Sequence, residues 1–212
     1  MLTDGRCDME LVWYFLFYSA VGFLLEVVFT RVTGGTKKDR KCMLFLPLCP
    51  VYGVGAVGIL LLPAEMQARP LLLFPAAALA ATGAEYLLSW YYEKAWGVFF
   101  WDYSHLPGHV NGRVSLPFTL AWGLLAVVLV YFVQPAVEQL TAMMPEDIIA
   151  AFGAMFLLDW FFTGQVLRRS HSTQSLRWWV RSIPAGEALS GSAPLSLRAS
   201  GQRQSPDSPS IP

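Results

Sequence analysis

Three acids stand inside long apolar runs of this sequence: Glu26, Glu85 and Asp159. If those runs cross a bilayer, an ionised carboxylate at the centre costs about 2.5–3.5 kcal/mol. Such a group must face protein or water, find a partner, or hold a proton. Glu26 and Glu85 fall in runs that pass in the same direction, both in the inner half, so they can reach one shared cavity. With Glu93 they are the candidates for a polar cavity or substrate pathway. Their other reading is an inter-helix hydrogen bond that only holds the fold. Asp159 is read in this second way. Arg31 lies near Glu26, but its spacing suits a helical ion pair poorly.

A second constellation runs Trp101-Asp102-Tyr103, then Asn111-Gly112-Arg113, then Leu116-Pro117. Gly108 and Gly112 permit tight backbone geometry, so Asp102 and Arg113 can approach each other. Pro117 early in a helix leaves first-turn N–H groups pointing inward, an arrangement that attracts anions. One reading is a cytoplasmic loop or gate in which Asn111 and Arg113 donate hydrogen bonds. The other is an Asp–Arg pair that closes the loop and nothing more.

Some patterns carry little. Gly53 to Gly58 spells GxGxxG, but no βαβ unit surrounds it, so it reads as a packing face. His105 and His109 have metal-like spacing, yet Pro107 and Gly108 between them argue against a helix, and no companion ligands are evident. No metal or cofactor is expected. No GxxxxGK[ST] is present, so ATP would have to be bound by another chain. No nucleophile–base pair is visible, and the chain is not expected to be an enzyme.

The elements that must position these residues are five apolar stretches: Leu11–Val32, Leu44–Pro63, Leu71–Tyr92, Val114–Pro135 and Ile148–Leu167. Each has about the 20 residues that a helix needs to cross the hydrocarbon core. With 55% of its 212 residues hydrophobic and 14% charged, the chain carries more apolar surface than a soluble domain hides. With the N-terminus outside, all 15 Lys and Arg residues except Arg6 and Arg69 lie on the inner side. That is a strong positive-inside bias, and it predicts a multi-pass cell-membrane protein with a cytoplasmic C-terminus. It also accounts for the basic residues without a nucleic-acid partner.

The first stretch is too long for a signal-peptide core, and an acidic segment precedes it. Cys7 is expected outside, whereas Cys42 and Cys49 sit at the inner end of the second stretch. The three make no even framework and no CxxC pair.

Residues 1–10 are expected to form an outer tail and 11–167 the transmembrane helical domain. Thr33–Lys41, with Lys37, Lys38, Arg40 and Lys41, is the main topological anchor. Glu93–Arg113 is read as an interfacial helix followed by a structured loop. Residues 168–181, with Arg177, Trp178, Trp179 and Arg181, form a cytoplasmic interfacial anchor. Residues 182–212 read as a disordered tail, being rich in Ser, Pro and Gly.

A weak internal repeat is visible. Leu46-Pro47 with Tyr52-Gly53 matches Leu116-Pro117 with Trp122-Gly123 at one constant spacing. Pro47, Tyr52, Gly53, Trp122 and Gly123 are candidates for helix packing or kinks. The implied architecture is two helical hairpins in parallel orientation plus a fifth helix. The other reading is chance, because a Leu-Pro at a helix start is ordinary.

Several segments together resemble the type IV, CmpB-like family of ABC-transporter permeases. They are Tyr18-Ser-Ala-Val-Gly-Phe-Leu-Leu-Glu26, Leu46-Pro-Leu-Cys-Pro-Val-Tyr-Gly53, Glu85-Tyr-Leu-Leu-Ser-Trp, Glu93-Lys, Trp101-Asp-Tyr and Asn111-Gly-Arg-Val-Ser-Leu-Pro117. The similarity runs from about Tyr14 to Tyr131. It implies a permease-like membrane subunit for an unidentified solute, with a separate ATPase subunit or a second copy of the chain as partner. The whole then reads as an all-α polytopic integral membrane protein of about five transmembrane helices, with the lipid bilayer as its solvent. The alternative is a structural or regulatory membrane protein that organises partners or lipids.

Overall fold

The computed structural model describes residues 3–32 and 42–176. The basic loop Thr33–Lys41, the proposed anchor from Arg177 and the tail from Ser182 lie outside them. Among the described residues every regular element is helical, with one isolated antiparallel bridge between Val110 and Val114. The helices are α1 (Thr3–Val32), α2 (Pro50–Leu60), the single turn α3 (Ala64–Gln67), α4 (Pro70–Tyr91), α5 (Leu116–Val128), α6 (Gln134–Ala142) and α7 (Glu146–Ser170). π-helical turns follow α4 (Tyr92–Trp96) and join α5 to α6 (Leu129–Val133). Four helical segments are long and apolar enough to cross a membrane: Asp8–Val32, Pro70–Trp96, Leu116–Ala142 and Glu146–Ser170.

The second expected span is the exception. Helix α2 has 11 residues, about 16 Å at 1.5 Å per residue, short of the roughly 30 Å of a hydrocarbon core. The residues before it, Cys42–Cys49, are non-helical. Pro47 and Pro50 explain why: neither has an N–H, and each disfavours helix in the residue before it. The helix therefore starts with Pro50 in its first turn.

The fourth span errs the other way. It does not stop at Pro135 but continues to Ala142. Proline inside a helix cannot bond the carbonyl four residues back, here that of Tyr131. The wider π turn Leu129–Val133 lies over that residue, and such turns reset the ladder without ending the helix.

Helix α2 lies between α1 and α4, and α4 packs on α5; α7 packs on α1 and on the π turn that ends α4. Lipid is as apolar as leucine, so close packing rather than water exclusion holds such helices together. Small residues supply it. A Cβ on Gly53 would stand 2.5 Å from the Phe15 carbonyl oxygen of α1, and one on Gly123 would stand 3.0 Å from that of Phe74 in α4. Gly22 of α1 leaves room for the Tyr52 ring. The GxGxxG run lies inside α2, where Gly53 and Gly55 are buried.

The chain thus has two ends. The turn end holds α3, where the Gln67 amide donates to the carbonyls of Leu60 (2.9 Å) and Leu62 (2.7 Å). The loop end holds the lead Cys42–Cys49 and residues 97–115. No interfacial helix forms there beyond Trp96, because Gly97 turns left-handed (φ 70°) and closes the helix. The loop that follows is pinned by Asn111 and Gly112 (φ 52° and 70°), the positive-φ pair of a tight Asn-Gly turn.

Candidate functional site

Glu85 lies six residues before the end of α4 and is only 3% exposed. Its carboxylate accepts hydrogen bonds from the Tyr103 hydroxyl (3.0 Å), out on the loop, and from the Trp122 indole (3.0 Å), on α5. One acid therefore ties together α4, α5 and the loop end. The Glu26 carboxylate on α1, half-buried, accepts a hydrogen bond from the Tyr52 hydroxyl of α2 (2.9 Å). The rings of Tyr52 and Trp122 meet edge to face, their centroids 5.1 Å apart. Glu26, Tyr52, Trp122, Glu85 and Tyr103 therefore form one continuous cluster, with the two acids at its back and the two rings in contact between them.

The proposed repeat has a physical content here. In each hairpin the aromatic residue, Tyr52 or Trp122, donates to a glutamate on the helix before it. In each the next residue, Gly53 or Gly123, is the close-packed glycine against that same helix. Pro47 and Pro117 do not correspond as well. Pro117 sits in the first turn of α5, while Pro47 stands in the lead, before α2 begins.

The loop residues come together differently from the simplest reading of the sequence. Arg113 ion-pairs with Glu93, not with Asp102. Its guanidinium also lies 5.4 Å from the centroid of the Tyr86 ring. Glu93 has Lys94 nearby as well, at 3.6 Å, and so stands at the loop rather than in the Glu85 cluster. The Trp101 indole donates to the Arg113 carbonyl (2.8 Å), and the Asn111 amide donates to the Tyr86 hydroxyl (2.9 Å). The Tyr103 N–H donates to the Gly112 carbonyl (2.8 Å). Asp102 is exposed and accepts from the Ser104 N–H (2.9 Å), which holds its carboxyl below the usual aspartate value.

Asp159 does what the sequence hid. It is buried at 3% exposure in the middle of α7. Its carboxylate accepts the backbone N–H groups of Leu44 (3.1 Å), Phe45 (3.0 Å) and Leu46 (2.6 Å). Thr163, one turn on, donates to Asp159 and also accepts from Leu44. The N–H of Cys49 bonds the Ser19 carbonyl of α1 (2.9 Å). Irregular backbone at membrane depth survives only where protein satisfies its donors, and here α7 and α1 do so. A carboxylate four residues before a threonine was the available signal, but a backbone amide leaves no mark in a sequence.

A bundle of long apolar helices enclosing buried carboxylates defines a multi-pass helical membrane protein. A family model described as "Putative ABC-transporter type IV" matches residues 13–166, and the chain belongs to that family. The match reaches through most of α7, beyond the segment on which the resemblance was read. No curated protein and no solved structure matches the chain.

Proposed function

We propose that the chain is a permease-like membrane subunit that takes part in moving a solute across the membrane. The observation that carries this reading is Glu85: an acid closed off among apolar helices, bonded to two ring donors, at the junction of α4, α5 and the loop. Buried intramembrane acids of this kind mark solute and proton pathways by default. Glu26 lies on the other side of the ring pair. The loop from Trp101 to Arg113, with Asp102, Asn111 and Gly112, forms the cytoplasmic mouth. The N-terminus lies outside and the C-terminus in the cytoplasm, as the basic residues favour. Helix α2 and its lead together make the fifth crossing. The sequence holds no P-loop, so energy comes through a separate ATPase subunit, and a second copy of the chain completes the pathway. The subunit itself is not an enzyme.

Reconstitution of the purified chain into liposomes, with and without candidate ATPases, tests this. Flux should appear, and Glu85→Gln should reduce it roughly tenfold or more, the effect of about 1.4 kcal/mol on a barrier. Full flux in both Glu85→Gln and Glu26→Gln rules out the pathway.

A second reading, a membrane protein that organises lipids or partners, is favoured by one observation: the buried Asp159 holds backbone in place. If Glu26 and Glu85 are equally structural, their glutamine variants will melt lower in detergent. Pathway residues leave stability unchanged or raise it.

A further inference from the structure

A cleft between α1 and α5 opens on the far face of the Tyr52–Trp122 ring pair. Helix α1 meets the Leu116–Ala142 helical segment at two points, one on α6 and one on α5. At one, the Tyr18 hydroxyl donates to Gln134 (2.7 Å), just past the π turn. At the other, the Phe29 and Phe118 rings lie 6.4 Å apart. Between these points the helices part around a cavity of about 210 Å³. Its walls are apolar: Val21 and Leu25 of α1, Ile59 of α2, Leu125 of α5, with small residues between them. Leu25, Leu125 and Val128 are both lining and exposed, so the cleft opens onto the apolar outer surface. An apolar cavity of about 150 Å³ stays dry and takes up benzene. This one holds an aromatic ring and a few further carbons.

Charge decides what kind of molecule that is. Tyr52 and Trp122 line the cleft with their rings, and their polar atoms turn away to donate to Glu26 and Glu85. A ring that donates to a carboxylate is richer in electrons, and such rings attract cations most strongly when water is excluded. The hydrogen-bond partners of Glu85 are both neutral, and among the described residues no Lys, Arg or His ion-pairs with it. A buried carboxylate of this kind favours a countercharge. We propose that the α1–α5 cleft binds a compact lipid-soluble organic cation, an aromatic or alkyl body carrying a quaternary ammonium. The rings of Tyr52 and Trp122 hold the cation, and Glu85, which does not line the cleft but accepts the Trp122 N–H behind it, supplies the opposite charge through that ring. This names a substrate class for the permease reading, and rests on that reading only for its physiological meaning.

Benzyltrimethylammonium is a suitable probe, because neopentylbenzene has the same shape and no charge. Binding is measured on the full chain in detergent by equilibrium dialysis, at matched free concentrations. The cation should bind saturably, and the neutral isostere should bind at least tenfold more weakly. Glu85→Gln should weaken the cation tenfold or more. Leu25→Trp, at an exposed rim position that lines the cleft where its neighbour Glu26 does not, should block it by filling the cleft, and keeps the test decisive if Glu85→Gln fails to fold. Equal binding of the two probes, absence of cation binding, or a folded Glu85→Gln protein of unchanged affinity each overturns the proposal. Flux is read separately in liposomes, so cation binding without flux would sink the permease reading and leave the site standing.

Discussion

Both carboxylate oxygens of Glu85 are taken up by ring donors, and that makes the cluster sensitive to small changes. Trp122→Phe keeps a ring against Tyr52 but removes the indole N–H, leaving one buried oxygen short of its partner. A loss of about 1–3 kcal/mol is expected. Thermal melting in detergent should show it, and the loss should shrink in a Glu85→Gln background, because the two residues act as a unit. Glycines give a contrast of another kind. Gly53→Ala drives a methyl group into the Phe15 carbonyl and the Ser19 hydroxyl, whereas at Gly58 no atom lies within 4 Å. The first substitution should cost about 1–3 kcal/mol; the second should be neutral or mildly stabilising, since alanine favours helix. Equal melting temperatures for the two variants would contradict the close approach of α1 and α2. At the loop, the Ser104 bond holds Asp102 below its ordinary pKa. That contribution is fully present above the unfolded value of about 3.9 and is lost as the pH falls through the lower folded value. The Ser104 amide proton shift should therefore titrate at a pH below the ordinary aspartate value, and a midpoint at that ordinary value would contradict the bond.

Among the elements, the lead into α2 has three successive amides on one side chain, Asp159. Asp159→Asn replaces one of two acceptor oxygens with a donor that faces the amides of Phe45 and Leu46. The cost should be about 1–3 kcal/mol for each amide left without an acceptor. The Cys42 and Cys49 thiols are buried side by side in that lead, their sulfurs 2.9 Å apart, so maleimide should label both faster in the variant; unchanged labelling would disprove the pinning role. Hydropathy made α1, α4 and α7 legible, because each is a long apolar run bounded by polar residues. It misjudged the second run, where composition is apolar but Pro47 and Pro50 forbid helix. It also stopped the fourth too early, at a proline that the π turn accommodates. Within the cluster, the acids were visible because charge is rare in such helices. The contacts of Tyr52 and Trp122 with those acids were not, since an aromatic residue in an apolar run looks the same whether it faces lipid or a carboxylate. Arg113 chose Glu93 over Asp102 because the π turn brings Glu93 under the loop, and nothing in local spacing announces a π turn.

For the whole molecule, the alternation of ends from α1 to α7 requires the two termini to lie in opposite compartments, provided α2 and its lead complete a crossing. Compartment reporters fused to each terminus check this, and finding both on one side would overturn the proposed orientation. The dependence of the early lead on a late helix also bears on how the chain is made. Ribosomes deliver Leu44–Leu46 long before Asp159 exists. Until the last span emerges, those three amides have no permanent acceptor in the lipid. The expectation is that the first hairpin stays sheltered, in the insertion machinery or beside a chaperone, until synthesis passes Asp159. Nascent chains halted before that point should be recognised as faulty and degraded, while chains halted soon after Ser170 should persist.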